Sequence, residues 1–144
     1  GTVYRQTMFA EFELAMGKMA ESGQALTADA LCQKYHALNK LYFGPDMVSD
    51  DQIALEWARI PHFFYNYYVF QYATGFSAAV AIANRILKEG APAVADYKKF
   101  LSGGCSTDPI SLLKIAGVDM SSPEPVNSAL ALFGELVDEM EQLV

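Results

Sequence analysis

One histidine and three tyrosines, His62, Tyr65, Tyr68 and Tyr72, follow one another at spacings of three, three and four residues. On a helix this spacing places them within one sector of about 120°. An imidazole and three phenols in a column offer hydrogen-bond donors at successive heights. Such donors suit the carbonyl oxygens of an extended peptide or of another carbonyl-bearing ligand. Phe76 extends the stripe, whereas Phe63, Tyr67 and Phe70 fall on a different side. A helix that is apolar all round is a buried helix. The run therefore reads either as a core helix unusually rich in hydroxyls or as the wall of a site, and spacing alone favours the core.

Other candidates for chemistry are weaker. His36 lies mid-helix near Lys34 and Lys40 and reads as a surface residue. Glu11 and Glu13, two apart, diverge on a helix and make no paired-carboxylate site. Asp50, Asp51 and Glu56 read as cap and surface charges. Neither histidine belongs to a His-Glu-x-x-His motif, so no metal site is expected in this chain. There is no phosphate loop, dinucleotide fingerprint or Gly-x-Ser-x-Gly element.

The elements that must position these residues are all helical. Val3 to Ser22 reads as a helix with Met8, Phe12, Ala15 and Met19 on one stripe, closed by Gly23. Thr27 caps a second, Ala28 to Phe43, with Leu31, Tyr35, Leu38 and Tyr42 inward; Gly44-Pro45 stops it. Ser49-Asp50-Asp51 opens a short helix through Trp57. Pro61 then breaks the chain or begins the next helix. That helix is expected to run unbroken from about 62 to 88, roughly 40 Å at ~1.5 Å per residue. Further helices are expected over Ala93 to Leu101, from Asp108-Pro109 to Ala116, and from Pro123 or Pro125 to the C-terminus. Leu130, Phe133, Val137, Met140 and Val144 stripe the inner face of the last one. No repeat or linker interrupts the chain, so residues 1–144 read as a single all-α helical domain.

Composition narrows the function. The formal net charge of −7, with no cluster of Lys or Arg, argues against nucleic acid. Residues 60–84 carry no Asp, Glu, Lys or Arg, but their Asn, Gln, Thr, Ser and Tyr make them too polar for a lipid-exposed span. Two distant cysteines, Cys32 and Cys105, read as free thiols in a reducing compartment. No signal peptide opens the chain, and a cytoplasmic location is expected.

Three stretches go beyond spacing. They are Gly1 to Glu13 (GTVYRQTMFAEFE), Leu55 to Ala79 around Ile60-Pro61-His62-Phe63 and Tyr72-Ala73-Thr74-Gly75-Phe76, and Ala116 to Pro125 (AGVDMSSPEP). In order and spacing they resemble the C-terminal part of oligoendopeptidase F, a zinc metallopeptidase related to thimet oligopeptidase. The resemblance covers essentially the whole chain. It implies a parent several times longer, whose zinc is held upstream of the part matched here and serves to hydrolyse internal bonds of short peptides. This chain would be inactive alone and would supply the opposite wall of the cleft. His62 matches the histidine of the family's Pro-His-aromatic element and Tyr65 the tyrosine just after it, which implies transition-state contacts. Tyr68 and Tyr72 would position substrate. Phe70 stands where relatives often carry tyrosine, so no hydroxyl role falls there. The expected partners are short peptides and the missing N-terminal part, with self-association of the isolated chain through exposed apolar surface. The alternative is a non-enzymatic helical interaction module with an aromatic core or groove.

Overall fold

A computed structural model describes residues 1–143. Among them lie six α-helices and two 3₁₀ segments, with no strand. They are α1 (Tyr4–Glu21), α2 (Ala28–Phe43), a 3₁₀ segment (Asp51–Arg59), a 3₁₀ turn (Pro61–Phe64), α3 (Phe70–Glu89), α4 (Ala91–Ser102), α5 (Pro109–Ile115) and α6 (Glu124–Leu143). The all-α expectation holds. The chain divides into two compact units, Gly1–Ala73 and the remainder from Thr74.

The punctuation works as the residue types require. Thr27 accepts the Ala30 N–H at 3.2 Å and Asp108 accepts that of Ser111 at 2.9 Å, each satisfying a donor that a helix start leaves orphaned. Asp50 does the same for Ile53 at 2.9 Å. Pro109 follows its cap at the first helical position, where its missing N–H costs nothing.

The first unit is organised around aromatic rings. Met8, Phe9 and Phe12 of α1 pack with Leu31, Tyr35 and Leu38 of α2, and with Ile60 and Val69. Phe12 meets Tyr35 edge-on at 5.1 Å and Phe63 at 5.2 Å, while Phe9 meets Phe63 at 5.6 Å. Trp57 joins from 6.4 Å, and its indole N–H donates to Cys32 Sγ at 3.4 Å. Offset and edge-on pairs of this kind add to what area burial contributes.

Glu56 departs from its expected surface position. Its side chain is buried and accepts hydrogen bonds from Arg5 of α1, from Arg59, and from the Tyr35 hydroxyl of α2 at 2.6 Å. Those partners lie 51 and 21 residues away for Arg5 and Tyr35, so no local pattern announces them. Burial first, then the hydrogen bond to Glu56, hold the Tyr35 phenol well above its usual range. His36 is likewise half-buried, with Nε2 3.2 Å from the Ser49 carbonyl oxygen.

In the second unit Ala78 and Ile82 of α3 pack with Ala116 and Val118. Arg85 donates to the Ala116 carbonyl at 2.8 Å, to Asp96 at 2.9 Å and to Glu89 at 3.0 Å. Gly117 leaves room for that guanidinium: a Cβ there would lie 2.4 Å from Arg85 Nη1, and its φ of +78° favours glycine in any case. The stripe expected to face inward on α6 does not. Leu130, Phe133 and Met140 are exposed, Val137 is half-buried, and the buried residues are Pro125 and Ala129. Val144 of that stripe lies outside the described residues.

Removing the Glu56 carboxylate leaves the buried Tyr35 hydroxyl without its acceptor. Glu56→Ala should therefore lower stability by about 1–3 kcal/mol, and Tyr35→Phe by less. Urea unfolding of the two variants checks this ranking; equal, negligible losses would contradict it.

Candidate functional site: a histidine–tyrosine cluster

The helix expected over 62–88 begins eight residues late, at Phe70. Pro61–Phe64 forms one 3₁₀ turn instead, and the chain then reverses through Asn66 (φ +52°) and Tyr67 (φ +60°). Asparagine tolerates the left-handed region, but a bulky residue there is an outlier, with a cost on the order of 1–3 kcal/mol. The surroundings hold the turn in place. The Tyr67 N–H donates to Glu13 Oε1 of α1 at 2.7 Å, and the Tyr67 hydroxyl sits against Gly17, where a Cβ would lie 2.0 Å away.

The reversal still brings the four candidate residues together. His62 Nε2 lies 3.0 Å from the Tyr72 hydroxyl. The His62 ring is 5.8 Å from Tyr65, 5.9 Å from Tyr68 in a stacked arrangement, and 5.6 Å from Tyr72. Tyr68 meets Tyr65 at 6.1 Å and Tyr72 at 5.6 Å, both edge-on. Phe63, wedged against Phe9 and Phe12, fixes the turn that carries His62. The cluster is thus anchored from beneath and open above. Tyr65 is 58% exposed, Tyr68 39% and Tyr72 36%, so these side chains are not enclosed as core residues would be.

Hydrogen bonding to Tyr68 is the first cause holding the Tyr72 phenol above its ordinary value, followed by partial desolvation and the nearby Tyr68 and Tyr65 oxygens. The neutral, proton-bearing form is the one favoured. A phenol in that state donates to a carbonyl oxygen or to an oxygen gaining negative charge without first needing a proton. Among the described residues no three His, Cys, Asp or Glu side chains converge where a metal ion could sit. What converges among the described residues is one imidazole and three phenols, groups that donate and accept hydrogen bonds.

Glu13 is the residue that sequence reasoning passed over. It was weighed only as a partner for Glu11, from which it does diverge: Glu11 accepts from the Tyr42 hydroxyl at 2.9 Å, pushing that phenol, already raised by burial, up to about 12. The available signal was a carboxylate four residues from both Phe9 and Gly17, on a helix face that carries rings.

The fold and the cluster define an all-α chain with a donor-rich aromatic face. Residues 1–132 match peptidase family M3, and the chain belongs to that family. It is 58% identical over its whole length to oligopeptidase PepF of Bacillus subtilis and 45% identical to group B oligopeptidase PepB of Streptococcus agalactiae. It spans only 22% and 24% of those two relatives. The crystal structure of oligoendopeptidase-F from Enterococcus faecium superposes with a TM-score of 0.95 at 47% identity, covering 99% of this chain and 27% of that one. No helix among the described residues is long and apolar enough to cross a membrane.

Replacing Tyr68 by Phe removes the first cause of the Tyr72 shift. The Tyr72 phenol should then ionise at lower pH, closer to its ordinary value. Tyrosinate absorbance, read as the difference from a Tyr68→Phe/Tyr72→Phe pair, checks the direction; an unmoved midpoint would contradict the pairing.

Proposed function

We propose that this chain is the C-terminal portion of the catalytic domain of an oligoendopeptidase, and that the whole enzyme cleaves internal bonds of short peptides. The observation that carries the reading is the open cluster of His62, Tyr65, Tyr68 and Tyr72 in a chain of peptidase family M3. Zinc, if held as the family resemblance implies, is held by segments outside this chain, and it supplies the activation of water. Every step assigned to this chain is one of binding and charge stabilisation.

An extended peptide presents carbonyl oxygens that the Tyr68 and Tyr72 hydroxyls can meet. That fixes the scissile bond in the cleft, an entropic contribution to the rate. As the attacked carbonyl oxygen gains negative charge, the Tyr65 O–H and a His62 N–H meet it, and His62 Nε2 exchanges its 3.0 Å contact with the Tyr72 hydroxyl for the oxyanion. Donors held this near to where charge develops cost little reorganisation at the moment of reaction. The Tyr72 phenol, like the others of the cluster, carries its proton at neutral pH and so serves as a donor there. The two free thiols, Cys32 and Cys105, support a reducing compartment such as the cytoplasm.

A chain that spans about a quarter of its relatives' length needs its neighbours. Leu41, Val48, Phe64 and Leu87 are exposed, and an open apolar groove on the second unit is lined by Ala79, Ile82, Ile86, Phe100 and Leu113. Such surface in isolation favours association. The isolated chain should not cleave peptides and should self-associate, which a peptide assay and sedimentation across a dilution series would check.

In the complete enzyme, His62→Ala and Tyr65→Phe should each lower kcat by about 10²–10³-fold, the range seen when one oxyanion donor is lost. Tyr72→Phe should raise KM more than it lowers kcat. Quenched-peptide kinetics decide the matter: wild-type kcat in both His62→Ala and Tyr65→Phe would sink the assignment.

A further inference from the structure

The His–Tyr cluster depends on a reversal of the chain. His62 and Tyr65 precede Asn66-Tyr67, and Tyr68 and Tyr72 follow it. The stacking of His62 on Tyr68, the 3.0 Å contact of His62 with Tyr72, and the Tyr65–Tyr68 pair all cross that turn. Tyr67 is not a residue that chooses φ +60° by itself, so the conformation must be imposed from outside.

The imposing groups sit on one face of α1, four residues apart, where side chains lie one above the other. Glu13 is only 6% exposed, and its carboxylate accepts the Tyr67 N–H at 2.7 Å. A buried carboxylate needs compensation by hydrogen bonds, and here the bond is made to the backbone of the strained residue. Gly17 leaves the space that the Tyr67 hydroxyl occupies. The neighbouring Glu11 faces Tyr42 and takes no part.

We infer that Glu13, assisted by Gly17, is a positioning residue for the peptidase site. It holds Tyr67 in the left-handed region so that His62 and Tyr65 meet Tyr68 and Tyr72. The inference rests on the peptidase reading above. Glu13 touches neither substrate nor reacting atoms, and it acts through the turn.

The test is steady-state kinetics of the complete enzyme on a quenched short peptide. Glu13→Ala should lower kcat about 100-fold, the effect of donors displaced by about 1 Å, with KM within roughly threefold. Glu13→Gln keeps a carbonyl oxygen for the Tyr67 N–H and should recover activity to within about tenfold of the parent. Gly17→Ala, which crowds Tyr67 and leaves the carboxylate intact, should lower kcat in the same direction. Glu11→Ala should leave both constants unchanged. If Glu13→Ala does not fold, Glu13→Gln and Gly17→Ala decide: wild-type kcat in Gly17→Ala, or a Gln variant as impaired as a His62→Ala enzyme, overturns the proposal. Wild-type kcat in a folded Glu13→Ala enzyme also overturns it. Failure of the peptidase reading is distinguishable, because it shows in His62→Ala and Tyr65→Phe irrespective of Glu13.

Discussion

The ring of Phe12 is the contact on which the first unit depends. It sits fully buried on α1 and meets Tyr35 of α2, Trp57 of the first 3₁₀ segment and Phe63 of the turn that carries His62. Aromatic packing therefore decides where the imidazole stands before any hydrogen bond is made to it. Glu56 is the polar counterpart of that arrangement. It ties α1, α2 and its own segment through Arg5, Tyr35 and Arg59, at a depth where an unpaired carboxylate would be costly.

Much of this was legible in the sequence where the signals are local. Thr27 and Asp108 announced their helices because a cap acts within three residues, and Gly44-Pro45 and Gly23 marked ends for the same reason. The grouping of His62, Tyr65, Tyr68 and Tyr72 was legible too, although by a route that differs from the one taken by the fold. Helical spacing suggested a column on one unbroken helix. The structure reaches the same company through a 3₁₀ turn and a left-handed reversal.

The reversal escaped sequence reading because the carboxylate that holds it lies 54 residues away in the chain. Nothing within the uncharged run states that a carboxylate on α1 will take the Tyr67 N–H. Glu56 was misjudged on the same ground, since an acidic residue on a short helix is usually solvated and only distant partners make it otherwise. The α6 stripe failed differently. Its periodicity is real, but among the described residues its Leu130, Phe133 and Met140 remain exposed. Amphipathic spacing says that one face of a helix is apolar, and it does not say which element packs on that face.

The single tryptophan has a use beyond packing. Trp57 lies in the first unit, beside Phe12 and with its indole N–H on the Cys32 sulfur. Its fluorescence is consequently a private reporter of the unit that bears the His–Tyr cluster, while the unit from Thr74 onward is silent at that wavelength. A sulfur in contact with the indole adds sensitivity, because separating the two alters quenching. The order in which the two units lose structure can thus be read by setting indole emission against helical circular dichroism, with no label added.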